Sequence, residues 1–117
     1  MRNSLVWDGS YSRALESMVF IHLYQRWKRV HYYLTREKRQ EVDFIVVDSA
    51  GHPSMTVQVS MDITQQETMK RELEPIITTA KYFGIRENII VTYNQEMSFL
   101  EEGISVKAVS AWKCLLN

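Results

Sequence analysis

REKRQEVDFIVVDSAGHPSMTVQVSMDIT, from Arg36 to Thr64, is the stretch on which the fold turns. "REKRQ" (36–40) is a charged turn leading into "EVDFIVVDS" (41–49), whose β-branched and aromatic residues mark a strand. "SAGHP" (49–53) is a turn. In "SMTVQVSMD" (54–62), Met55, Val57, Val59 and Met61 alternate with Thr56, Gln58 and Ser60. That period of two is a strand with two unlike faces. Two strands joined by so short a turn pair antiparallel.

Outward from this hairpin the pattern alternates between helix and strand. "DGSYSRALESMVFIHLYQRWKR" (8–29) reads as a helix capped by Ser10 or Ser12, with basic residues at its end to suit the helix dipole. Its middle is apolar nearly all round, so deep packing is expected. "VHYYLT" (30–35) is a further strand. "TQQETMKRELEPIITTAKYFG" (64–84) is a second helix, with Thr64 as the expected cap and Gly84 at its end. Pro75 inside it predicts a kink near Arg71–Glu74 or two abutting helices. "ENIIVTYN" (87–94) and "GISVKAVS" (103–110) are strands, and "AWKCLL" (111–116) is a short closing helix. A strand–helix–strand unit implies a right-handed parallel crossover. The expected fold class is α/β. It is a mixed sheet with an antiparallel meander and one parallel crossover, covered by helices.

The totals remove several function classes. The 117 residues suit one domain with a real core. Lys and Arg balance Asp and Glu at 14 each, which argues against an indiscriminate polyanion binder. The single cysteine, Cys114, rules out an internal disulfide and a Cys-based zinc site, and reads as a small apolar residue of the last helix. His22, His31 and His52 lack metal-ligand spacing. No phosphate-loop motif is present, so this chain is not itself a nucleotide-hydrolysing unit. "MVFIHLY" (18–24) is too short to span a bilayer, so no membrane partner is expected. "MRNSLVWDGS" (1–10) has no signal-peptide core, and a cytoplasmic location is the expectation.

Three polar residues occupy places where apolar ones belong. Glu16 shares a helical stripe with Val19, Phe20 and Leu23. Asp43 lies between Val42 and Phe44, and Gln58 is central in the third strand. Paired strands can put Asp43 and Gln58 on one face, and the first helix can bring Glu16 over them. Grouped carboxylates call for a proton or a cation, and oxygen ligands from Asp43 and Gln58 suit Mg²⁺. Such an ion activates water against a phosphodiester. Plainer roles compete. Glu16 can pair with Arg13 or Lys28, and Asp43 can bond backbone N–H groups. Gln58 can be a satisfied buried amide holding Asp43 and Ser60. Separately, Arg26, Lys28 and Arg29, with Arg36, Lys38 and Arg39, form two basic stretches. Beside Trp27, Tyr32 and Tyr33 they could contact a phosphate backbone and stack on bases, or simply be a solvated helix end and hairpin tip.

"ALESMVFIHL", "REKRQEVDFIVV", "VQVSMDIT", "TMKRELEPI", "IIVTYN" and "VSAWKCLL", in that order, resemble the C-terminal domain of unknown function of prokaryotic AAA+-type ATPases, a relative of the PD-(D/E)XK nuclease fold. The resemblance covers nearly the whole chain. It implies a restriction-endonuclease-like module attached to an ATPase domain, with DNA as a partner and Mg²⁺ or Mn²⁺ as the ion. By it, Glu16 corresponds to the helix glutamate and Asp43 to the metal-binding aspartate. The Glu-X-Lys pair falls on Gln58-Val59-Ser60. This chain departs there: Gln58 lacks the charge and Ser60 lacks the ammonium. Losing one such electrostatic contact costs on the order of 3–4 kcal/mol of transition-state stabilisation. Lys70, in the next helix, is the candidate for a displaced lysine. The expectation is a degenerate site in a domain that binds nucleic acid or a partner. The alternatives are a weak Mg²⁺- or Mn²⁺-dependent nuclease and a purely structural assembly domain.

Overall fold

A computed structural model describes residues 9–27, 29–34 and 41–116. The chain forms α1 (Gly9–Trp27), β1 (Val30–Leu34), β2 (Glu41–Val47), β3 (Pro53–Val59), α2 (Gln66–Phe83), β4 (Glu87–Thr92), β5 (Met97–Glu101), β6 (Ile104–Ser110) and α3 (Ala111–Leu116). One six-stranded sheet runs in the order β1-β2-β3-β4-β6-β5. β1, β2 and β3 form the antiparallel meander, while β3–β4 and β4–β6 are parallel. The mixed α/β architecture expected from the pattern is therefore present, with one strand more.

That extra strand is β5. It pairs antiparallel with β6 through a turn at Glu102 (φ 51°) and Gly103 (φ 79°). Two residues at positive φ make the tight hairpin turn that follows strand twist, a place usually held by Asn-Gly. β5 is an edge strand whose residues are exposed or half-exposed, so no alternation betrays it.

The two faces of the sheet carry separate cores. Phe44, Val46, Met55, Val57 and Val59 pack against Leu15, Val19 and Leu23 of α1, with Ala111 of α3. Ile63, Leu73, Ile76, Ile77, Ile90, Val106 and Ala108 form the other core under α2. On the α2 face, Thr56 Oγ1 donates to Asn88 Oδ1 at 2.7 Å, and Asn88 Nδ2 reaches the Ile85 and Ser105 carbonyls. This network satisfies buried polar atoms and stitches β3 to β4 and the start of β6.

Several local expectations need correction. Ser10 and Ser12 lie inside α1, which begins at Gly9, so neither caps it. α1 is not packed all round: only one stripe, Leu15–Val19–Leu23, is buried. Thr64 does not cap α2, because its N–H and hydroxyl both donate to Asp62 Oδ1, leaving Gln65 at the N-cap with no side-chain bond. α2 is one continuous helix through the buried Pro75, not two abutting ones. Gly84 ends it in the left-handed region (φ 71°), as expected. No helix among the described residues is long and apolar enough to cross a membrane.

Candidate functional site

The β2–β3 ladder runs from Val47 opposite Pro53 to Phe44 opposite Val57, and then stops. One residue further, Asp43 and Gln58 face each other across a fork at the carboxyl end of β3. The fork is bridged by side chains instead of backbone. The Asp43 N–H donates to Gln58 Oε1 at 2.8 Å, and the Val59 N–H donates to Asp43 Oδ2 at 2.8 Å. Gln58 Nε2 donates to the Glu41 carbonyl at 3.3 Å. Each strand thus lends a side chain to satisfy the other's unpaired backbone. Because Phe44 and Val57 point into the α1 core, alternation turns Asp43 and Gln58 towards the α2 face. The expected same-face geometry of Asp43 and Gln58 on neighbouring strands is what the register gives.

Acids crowd this fork. Burial pushes the Asp43 carboxyl up to about 7, against the lowering effect of the Val59 N–H, and the charges of Glu16, Glu72 and Glu41 add to the rise. Glu72, on α2, is raised chiefly by burial, with Arg71 and a hydrogen bond to Gln58 pulling the other way. Glu16 is raised by burial and by Glu41. The helix whose acid reaches Gln58 is therefore α2, and Glu16 acts on Asp43 through its charge. Glu72 escaped the sequence reading although a signal existed. It sits three residues after Met69 and four before Ile76, an acid on the apolar stripe of α2.

The remaining residues divide clearly. Gln58, at 5% exposure, is the satisfied buried amide, though its amide group holds Asp43 and Glu41, not Ser60. Ser60 follows β3, and its N–H donates to the Val91 carbonyl at 2.9 Å. Lys70 is not brought to the fork. It lines a groove of about 580 Å³ between α2 and the β5–β6 hairpin, with Glu74, Glu101 and Glu102 among its neighbours. Lys70 and Glu72 are 200° apart around a helix, so a lysine at 70 cannot join Glu72 at the fork. Arg26 and Arg29 are exposed at the α1–β1 corner. The Arg26 guanidinium lies 5.1 Å from the Trp27 ring centroid, and Tyr32 packs on Phe44 at 5.3 Å while remaining largely exposed. Lys28, Arg36, Lys38 and Arg39 lie outside the described residues. Cys114 is half-buried against the α1 core, and burial raises its thiol.

A divalent ion fits this arrangement poorly. Gln58 Oε1 and Asp43 Oδ2 each already accept a backbone N–H group. Among the described residues, no three His, Cys, Asp or Glu side chains converge in a way that could hold a metal ion. What the fork does chemically is hold a proton on Asp43 near neutrality. Comparison of the chain with protein-family models, with curated proteins and with solved structures finds no match in any of the three.

Proposed function

We propose that this chain is a nuclease-like binding module in which the place of a catalytic centre has become a structural joint. The observation that carries this reading is the Gln58 amide. Its Oε1 accepts the Asp43 N–H and its Nε2 donates to the Glu41 carbonyl, so the group that would otherwise face an ion ties β3 to β2 at the fork. A carboxylate at 58 could not donate to the Glu41 carbonyl at all. Neither Ser60 nor Lys70 supplies an ammonium there.

The binding surface we assign is the α1–β1 corner, where Arg26, Trp27, Arg29 and Tyr32 stand exposed. Cations among aromatic faces suit a single strand of nucleic acid, with phosphates held by Arg and bases stacked on rings. Titration with a labelled single-stranded oligonucleotide at several salt concentrations tests this. Weak, strongly salt-dependent binding is expected, and Arg26→Ala with Arg29→Ala should lower the slope of log K against log salt by about 1–2. Absence of binding even at low ionic strength would remove nucleic acid as the partner. The ATPase domain of a parent protein would then be the partner to test.

A further inference from the structure

The groove between α2 and the β5–β6 hairpin lies at the opposite edge of the sheet from the α1–β1 corner. Its helical wall is one flank of α2, where Lys70, Leu73, Glu74, Ile77, Thr78 and Lys81 recur at three- and four-residue spacing. Lys70 and Lys81 are about 16 Å apart along the helix axis, the length of a five-residue strand. β5, on the other side, has that length. The parallel crossover makes α2 antiparallel to β4 and β6, and β5 is antiparallel to β6, so β5 and α2 run the same way. The Lys81–Glu102 ion pair closes the groove at the hairpin tip. Lys70 therefore marks the end nearer Met97, and Glu101 marks the tip end. Neither Lys70 nor Glu101 forms an ion pair or hydrogen bond among the described residues. β5 is last in the strand order of the described residues and pairs with β6 without a bulge, so alternate residues turn backbone N–H and C=O groups outwards. It carries no Lys or Pro of the kind that guards an edge.

From this we infer that β5 and the groove take an extended peptide segment of a protein partner, added antiparallel to β5 and ending in an acid. Three observations select that occupant. First, an edge strand beside a groove with an apolar floor suits strand addition: backbone bonds hold the segment, and alternate side chains enter the groove. Second, the spacing agrees. Leu73 and Ile77, which form the floor, are about 6 Å apart along α2, and alternate side chains of a strand are about 6.6–6.8 Å apart. Third, the charges give a direction. An antiparallel segment brings its carboxyl end to Lys70 and its amino end to Glu101. A parallel one would set like charges together at both ends. Nucleic acid is disfavoured by Glu74, Glu101 and Glu102 on the rim. A second copy pairing β5 with β5 about Phe99 would lay Glu101 beside Met97 and leave Lys70 without a counter-charge. An added strand would also cover Leu100, which is 76% exposed on the sheet face opposite Phe99.

Amide NMR of the full chain, titrated with the peptide Lys-Thr-Val-Thr-Val-Thr-Glu with both ends free, is the test. Its lysine, valines and glutamate share one face of a strand. Saturable shifts are expected below about 1 mM peptide, confined to β5, its turn and α2. Methylating the valine amides or the threonine amides should abolish binding for one set and spare it for the other, because a strand turns alternate N–H groups to one side. Lys70→Glu should weaken binding about fivefold. Lys70→Glu with Glu101→Lys should instead prefer the charge-reversed, amidated peptide Glu-Thr-Val-Thr-Val-Thr-Lys. Both sites are exposed, and unshifted core amides check that the variants fold. No saturable shift up to about 5 mM peptide overturns the inference. So do equal effects of the two methylations, or a peptide preference that the charge reversal leaves unchanged. A chain that sediments at twice its mass and shows no β5 shift overturns it and gives the edge to a second copy. Shifts that appear only after residues 1–8 are removed overturn it too, and name that segment as the native occupant.

Discussion

Asp43→Asn is expected to stabilise the fold by about 2–3 kcal/mol at pH 8 while changing it little at pH 4. The folded carboxyl titrates near 7, against ~3.9 for an aspartate in the unfolded chain. Between those values the native state holds a proton that the unfolded state has released. Stability therefore falls as pH rises through that interval, by about 1.4 kcal/mol per unit at full coupling, and levels off above 7. A shift of this size is worth at most ~4 kcal/mol, and the partial exposure of Asp43 reduces it. Asparagine keeps an oxygen for the Val59 N–H and adds N–H donors towards the surrounding acids. Glu16 and Glu72 are raised too, so the variant should retain a shallower slope of the same sign. Asp48, Asp62 and Glu96 are held low by hydrogen bonds, and their contribution is lost only as pH falls through their depressed values. Urea midpoints of both proteins from pH 4 to 8 read the difference. Equal destabilisation by Asp43→Asn at both ends of the range would show that no proton is held at the fork.

Gln58→Glu is expected to cost about 3–5 kcal/mol at pH 8. The new carboxylate would be buried beside Asp43 and Glu72, with no amide to donate to the Glu41 carbonyl. Most of the loss should return at pH 5, where the acids take up protons. Adding Ser60→Lys should restore part of the stability at pH 8 by setting an ammonium beside the acids, and calorimetry should then show Mg²⁺ uptake. The same urea series applies. A Gln58→Glu protein as stable as the unmodified chain at pH 8 would mean that the fork is open to water, contrary to the hydrogen bonds seen there.

The hairpin and the crossover could be read from the chain because their signals are local and strong. Met55, Val57 and Val59 alternate, Asp48 gathers the Ala50 and His52 N–H groups into a turn, and Gly84 stops α2 at positive φ. Asp43 and Gln58 were legible as polar residues on buried strands. What each bonds was not, since that depends on the ladder ending at Phe44–Val57. Edge strand β5 hid because both its faces meet solvent and its turn uses Glu102 in place of Asn. Lys70, the candidate for a displaced lysine, is carried by the turn of α2 into another groove. α1 misled in a more informative way. Its all-round apolarity predicts burial, and the domain supplies only half of it.

The most direct test of the proposal that the fork is closed and non-catalytic is incubation of the unmodified protein with plasmid or single-stranded DNA and Mn²⁺, alongside Asp43→Ala, with calorimetric titration of the ion. The hydrogen bonds that occupy Gln58 Oε1 and Asp43 Oδ2 predict no saturable Mn²⁺ heat and no cleavage above the Asp43→Ala background. Cleavage at an ordinary enzymatic rate, about 1–10³ per second, that Asp43→Ala abolishes would contradict the account outright.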